Sequence, residues 1–120
     1  MSQASSQAWS FYRDVAATRV VWTLRDAGGF PTVTPVEGKP AMPFWSSRSR
    51  VEKVIESFPA YRGFEPVEVA WSDFVVNWVP GLTRDGLVVG VNWSGPRVVG
   101  YDIEPEQLLK NVNAVMANAQ

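Results

Sequence analysis

The chain contains no histidine and no cysteine. The first absence removes the commonest general acid–base side chain and the usual nitrogen ligand of zinc. The second removes thiolate nucleophiles, thiolate metal sites and disulfides. Ser-His-Asp and Cys-His catalytic arrangements therefore cannot be built from these residues. No run approaches the roughly 18 apolar residues of a membrane span. The opening MSQASSQAWS has neither a basic nor an apolar region, so no secretory signal is expected. An excess of basic charge is missing too: the net charge is −1 and the pI about 5.4. Such a chain lacks the basic footprint of a duplex nucleic-acid binder or of a protein held on an acidic membrane. These absences point to a cytoplasmic protein with no cofactor, no metal and no nominated catalytic residue.

What is present fits one globular domain. The 120 residues, 46% hydrophobic and 19% charged, suffice for a core without covalent staples. A single domain over residues 1–120 is expected, with an ordered part of about 5–117. Six tryptophans are many for this length, and so large a side chain seldom hides completely. The acidic residues are dispersed, with no calcium-loop spacing and no glycine-rich phosphate loop.

Periodicity gives the elements. Ser5 or Ser6 opens a helix to about Ala17, with Ala8, Phe11, Tyr12, Val15 and Ala16 at helical spacing. Arg19–Arg25 alternates as a half-buried strand, and Asp26-Ala27-Gly28-Gly29 is a turn. Thr32–Val36 reads as a short edge strand, Glu37-Gly38-Lys39 as a hairpin tip and Ala41–Trp45 as the returning strand. Together these predict an antiparallel meander. The next helix has a capping-box spacing at Ser49 and Glu52, with Ser46 or Ser47 as alternative caps. Val51, Val54, Ile55 and Phe58 form its apolar stripe, and Pro59 stops it. A strand at Phe64–Ala70 precedes a helix from Ser72-Asp73 that Pro80-Gly81 should bend or end. Leu87–Trp93, with Leu87, Val89, Val91 and Trp93 on one face, forms a hairpin with Arg97–Ile103. A last helix starts near Glu104 with Pro105 at its first position and Leu108, Val112, Val115 and Ala119 as its stripe. The class predicted is α+β: a mixed or mainly antiparallel sheet of five to six strands with three to four helices packed on it.

Two features carry a functional reading. At Ser46-Ser47-Arg48-Ser49-Arg50 a helix N-terminus offers free N–H groups beside hydroxyls and two guanidinium groups, an arrangement suited to an anion. Capping serines and solvated arginines are the plainer explanation. The second feature is aromatic: Phe44, Trp45, Trp71, Trp78, Trp93 and Tyr101, with Arg97 or Arg62 at the rim, suit a protein-binding surface, against the plainer role of filling the core.

The phrases VWTLRD at 21–26, PFWSS at 43–47, PGL at 80–82 and GVNWSG at 90–95 resemble a family of small bacterial proteins of unknown function. The resemblance runs from about Phe11 to Leu109 and implies a domain of conserved length. In layout the chain is also similar to the N-terminal domain of the SseB type, through Pro43, Phe44, Ser46 and the strand Val88–Asn92. Residues and resemblance together lead first to a non-catalytic protein-interaction module, an adaptor or immunity-type protein whose partner and oligomeric state stay open. The alternative is a small-molecule or anion-binding domain using Ser46, Ser47, Arg48 and Arg50, with Trp45 and Trp93 as an aromatic wall. Two close, buried carboxylates in a pocket would favour an enzyme.

Overall fold

A computed structural model describes residues 3–34, 38–95 and 99–118. Helix α1 (Gln3–Thr18) leads into β1 (Val20–Arg25), β2 (Ala41–Phe44), α2 (Arg48–Ser57), a 3₁₀ turn at Pro59–Tyr61 and β3 (Glu65–Ala70). A helical rod follows, made of α3 (Trp71–Asp73), a π-helical turn (Phe74–Trp78) and α4 (Val79–Arg84). Strands β4 (Val88–Ser94) and β5 (Val99–Ile103) and helix α5 (Pro105–Asn118) complete the order. The class is α+β, with four helical rods and five strands among the described residues.

The strands form two sheets rather than one. β1 and β3 pair antiparallel as a ribbon, and β2, β4 and β5 make a second sheet in the order β2-β4-β5. Within it β4 and β5 are the antiparallel pair expected, whereas β2 runs parallel to β4. The expected meander through residues 19–45 is therefore absent, and Pro43 supplies the reason. β1 and β2 meet at Trp22 and Trp45, whose backbones exchange N–H···O bonds of 2.8 and 2.7 Å. The next exchanging pair of an antiparallel ladder lies two residues along, and on β2 that residue is Pro43, which has no N–H. The buried Thr23 hydroxyl donates to the Pro43 carbonyl at 2.9 Å instead. A side chain thus takes the place of the ladder, and the strands part. Of the edge strand expected at Thr32–Val36, the described residues show a bridge between Val33 and Ala41. Pro35, Val36 and Glu37, the last in the expected hairpin tip, lie outside the described residues.

Two buried clusters flank these strands. One joins Phe11 and Val15 of α1, Val21, Phe44, Val89 and Val91 of the strands, Phe74 and Leu82 of the rod, and Leu108 and Val112 of α5. The other lies under α2 and joins Leu24, Ala41, Trp45, Val51, Val54, Tyr61, Val88 and Trp93. β1 sends Val21 into the first cluster and Leu24 into the second, so both of its faces are covered rather than one. Helix α1 starts two residues before the expected caps and ends where Arg19 adopts a left-handed φ of 62°.

Helix α2 is capped by Ser47, the alternative, and not through Ser49 and Glu52. Ser47 is extended at φ −152°, and its hydroxyl accepts the Arg50 N–H at 3.3 Å. Ser49 already lies inside the helix. Pro80 does not end the rod, which continues to Arg84. It stands in the first turn of α4, directly after the wider π turn, where a missing N–H interrupts little. Helix α5 opens at Pro105 and buries Leu108 and Val112, while Ala119 lies outside the described residues. Among the described residues no helix is long and apolar enough to cross a membrane.

Candidate functional site

Asn92 redirects the chain. It adopts a left-handed φ of 50°, a conformation asparagine tolerates better than most residues. The pairing of β4 with β5 shifts register between Val91 and Ser94. The side-chain alternation is interrupted there, as at a β-bulge. Trp93 consequently leaves the face of Val89 and Val91, where simple alternation places it, and joins Trp45 in the cluster under α2. Its ring lies over Gly90, where a Cβ would run into the indole. Gly100 makes room beside it: a Cβ there would meet Trp93 Cδ1 at 3.0 Å. Trp93 Nε1 donates to Asp102 Oδ1 at 2.9 Å, and Trp45 Nε1 donates to the Trp93 carbonyl at 2.9 Å. Partial burial raises the Asp102 carboxyl above its ordinary value, while the indole N–H acts in the opposite sense.

A buried polar network supports this bend. Asn92 Oδ1 accepts the Ser46 N–H at 2.9 Å, and its Nδ2 donates to Ser46 Oγ at 3.0 Å and to the Gln7 carbonyl at 3.3 Å. Ser46 Oγ donates to Asp14 Oδ2 at 2.8 Å. The same carboxylate oxygen lies 4.0 Å from Arg50 Nε. The Gln7 amide donates to the Ser94 hydroxyl. These bonds tie α1, the end of β2 and the bend of β4 into one unit. They also use all the hydrogen-bonding groups of the Asn92 amide.

Between α2 and the end of β4 lies an open crevice of about 910 Å³. Trp45 and Trp93, 1% and 4% exposed, form its floor. α2 supplies one wall with Arg50 and Val54, continued by its C-cap Phe58, and beside them Ser49, Lys53 and Ser57 at i, i+4, i+8 spacing. Ser94 and Gly95 stand opposite. The position follows from topology. β2 and β4 are parallel, and their carboxyl ends open at the same place. From there the chain leaves β2 toward α2 and leaves β4 toward β5 on its other side. Strand ends with diverging connections form a natural crevice.

The site residues named from sequence separate. Trp45, Arg50 and Trp93 come together in the crevice. Ser46 is buried beneath it with its hydroxyl bound to Asp14 and Asn92, and Ser47 is occupied as the cap of α2. Arg48 faces elsewhere: its guanidinium lies 5.7 Å from the centre of the Trp22 ring and 3.4 Å from Glu52. Arg97 lies outside the described residues. Of the tryptophans, Trp45, Trp71 and Trp93 are buried, Trp22 and Trp78 half-buried, and Trp9 51% exposed. Sequence reasoning missed Asn92, Asp14 and Lys53. The available signal was an asparagine inside a β-branched strand, two residues after Gly90 and directly before Trp93. Among the described residues, no three acidic side chains gather as a metal site would require.

The chain belongs to a family of proteins of unknown function, DUF2750, which matches residues 8–112. The match spans α1 to α5 and takes in the crevice-lining residues named above. The family resemblance read from the sequence phrases is borne out at that level. No match to a curated protein is found.

Proposed function

We propose that this protein is a non-catalytic binding domain whose ligand, a small molecule, occupies the crevice between α2 and the end of β4. The observation that carries the reading is the pair of indoles fixed as a floor at the diverging carboxyl ends of β2 and β4. Such crevices, largely apolar with a few convergent polar groups, are where small ligands are held. Gly90, Gly100 and Asn92 all depart from the strand pattern and together place one tryptophan beneath the crevice. The missing histidine and cysteine, and a crevice lining without acidic side chains among the described residues, support binding without chemistry. The cysteine-free composition supports a cytoplasmic setting.

A protein partner is the second reading. It draws on Trp9, 51% exposed on α1. The other large exposed apolar residues, Val33, Val76 and Tyr101, belong to three separate segments, so no single element presents them as a face. Titrating isotope-labelled protein with neutral and charged aromatic fragments tests the first reading. Shifts are expected at Ser49, Lys53, Ser57, Ser94, Gly95 and the indoles of Trp45 and Trp93. Shifts that gather around Trp9 support the second reading and contradict the first.

A further inference from the structure

We infer that the crevice selects a ligand with a single negative charge on an apolar body, an aryl or acyl carboxylate, with its charge against α2 and its body on the tryptophan floor. This rests on the reading of the crevice as a ligand site and adds the class and orientation of what enters it.

The donors decide the class. Both floor indoles spend their N–H inside the protein, Trp45 on the Trp93 carbonyl and Trp93 on Asp102. They therefore offer a ligand no donor, and because they are almost buried the more accessible Phe58 and Pro59 complete the apolar lining. The Asn92 amide is likewise used up by Ser46 and Gln7. The cationic groups are confined to the α2 wall, the guanidinium of Arg50 and the ammonium of Lys53 beside the hydroxyl of Ser57, while across from them Ser94, an acceptor for the Gln7 amide, keeps only an uncharged O–H. A ligand thus meets cations along one side and hydrocarbon beneath.

The charge follows from the same inventory. Among the described residues no acidic side chain lines the crevice. Asp14, immediately behind, approaches Arg50 to 4.0 Å and offsets part of its charge. Lys53 makes no ion pair among the described residues. The uncompensated charge of the wall is therefore close to that of one cation, which complements one carboxylate rather than a polyphosphate. Length sets the scale of the body. Ser49 to Ser57 spans roughly 12 Å at a rise of about 1.5 Å per residue, the length of an aryl or medium acyl carboxylate.

Anilinonaphthalene sulfonate, an apolar-bodied monoanion, and N-phenyl-naphthylamine, its neutral counterpart, test the inference on the full chain. Shifts of the Trp45 and Trp93 indole N–H signals in isotope-labelled protein report proximity to the floor. The anion is expected to bind with one-to-one stoichiometry and more tightly than the neutral probe. Arg50→Gln and Lys53→Gln should each weaken it about tenfold, the loss of one hydrogen bond to a charged group. Neutral-probe affinity should change by less than about twofold in both variants, which shows that the site itself survives. Equal affinity for the two probes, or anion binding indifferent to both substitutions, overturns the charge selection and leaves the site standing. Binding of neither probe overturns the site and the inference together.

Discussion

Trp93 is held by what its neighbours lack. A Cβ on Gly90 would occupy the space of its ring, and Gly100 leaves the gap alongside. Gly90→Ala should therefore displace the indole and destabilise the protein by about 1–3 kcal/mol, the usual penalty of overpacking. Denaturant unfolding followed by tryptophan fluorescence measures both effects, and an unchanged midpoint with unchanged emission contradicts the packing described. Asp102 gives a pH test of the same contact. Its folded carboxyl lies above the ordinary value of 3.8. Just above that pH the folded state therefore holds more proton than the unfolded chain, and this group's contribution to stability falls as pH rises through the window. Asp102→Asn keeps an oxygen acceptor for the Trp93 N–H and removes the titration. It should be at least as stable as the native protein at neutral pH, with a flatter stability profile above about pH 4; unfolding at stepped pH reads this, and a large loss at neutral pH speaks against it. At this scale the sequence was only partly legible. Trp45, Arg50 and Trp93 were named from residue type and spacing, but Asn92 and Asp14 were not, because their roles arise only when β4 and α1 meet the end of β2 across long stretches of sequence.

At the scale of elements, short-range signals performed well wherever a segment's partners are its own neighbours. Pro105 opens α5, Pro59 follows α2, and β4 with β5 forms the late hairpin. The errors concern long-range pairing. Pro43 does lie in a strand, as read, but the strand was expected to return beside β1, and its missing N–H is what parts β1 from β2 and frees β2 to lie parallel to β4. Periodicity cannot foresee that, since a strand's alternation is the same whichever partner it takes. The cap of α2 is a smaller case. Ser49 and Glu52 had the right spacing, but Ser46 is captured by Asn92 and Asp14, and the helix starts directly after Ser47. Ser47→Ala should cost about 1 kcal/mol and Ser49→Ala less than about 0.5 kcal/mol. Paired denaturant midpoints distinguish the two, and the reverse order would restore the capping box.

For the whole molecule, the α+β class was legible from the mixture of periods, and the division into two sheets was not. That division has a consequence for function. With β2 parallel to β4, two carboxyl ends open side by side, and α2 closes one flank of the space between them. An antiparallel meander would instead have returned β2 against β1 and left no such opening beside β4. The crevice is thus a product of topology, finished by one bend at Asn92 and one indole. The measurement that tests this most directly compares the native protein with Ser57→Trp, which fills the α2 wall, in the fragment titration. Saturable shifts are expected at Lys53, Gly95 and the Trp45 and Trp93 indoles in the native protein, with their loss in the variant while the rest of the spectrum is kept. Identical fragment shifts in both proteins would mean that the ligand binds elsewhere, and would contradict the reading of the crevice as a ligand site.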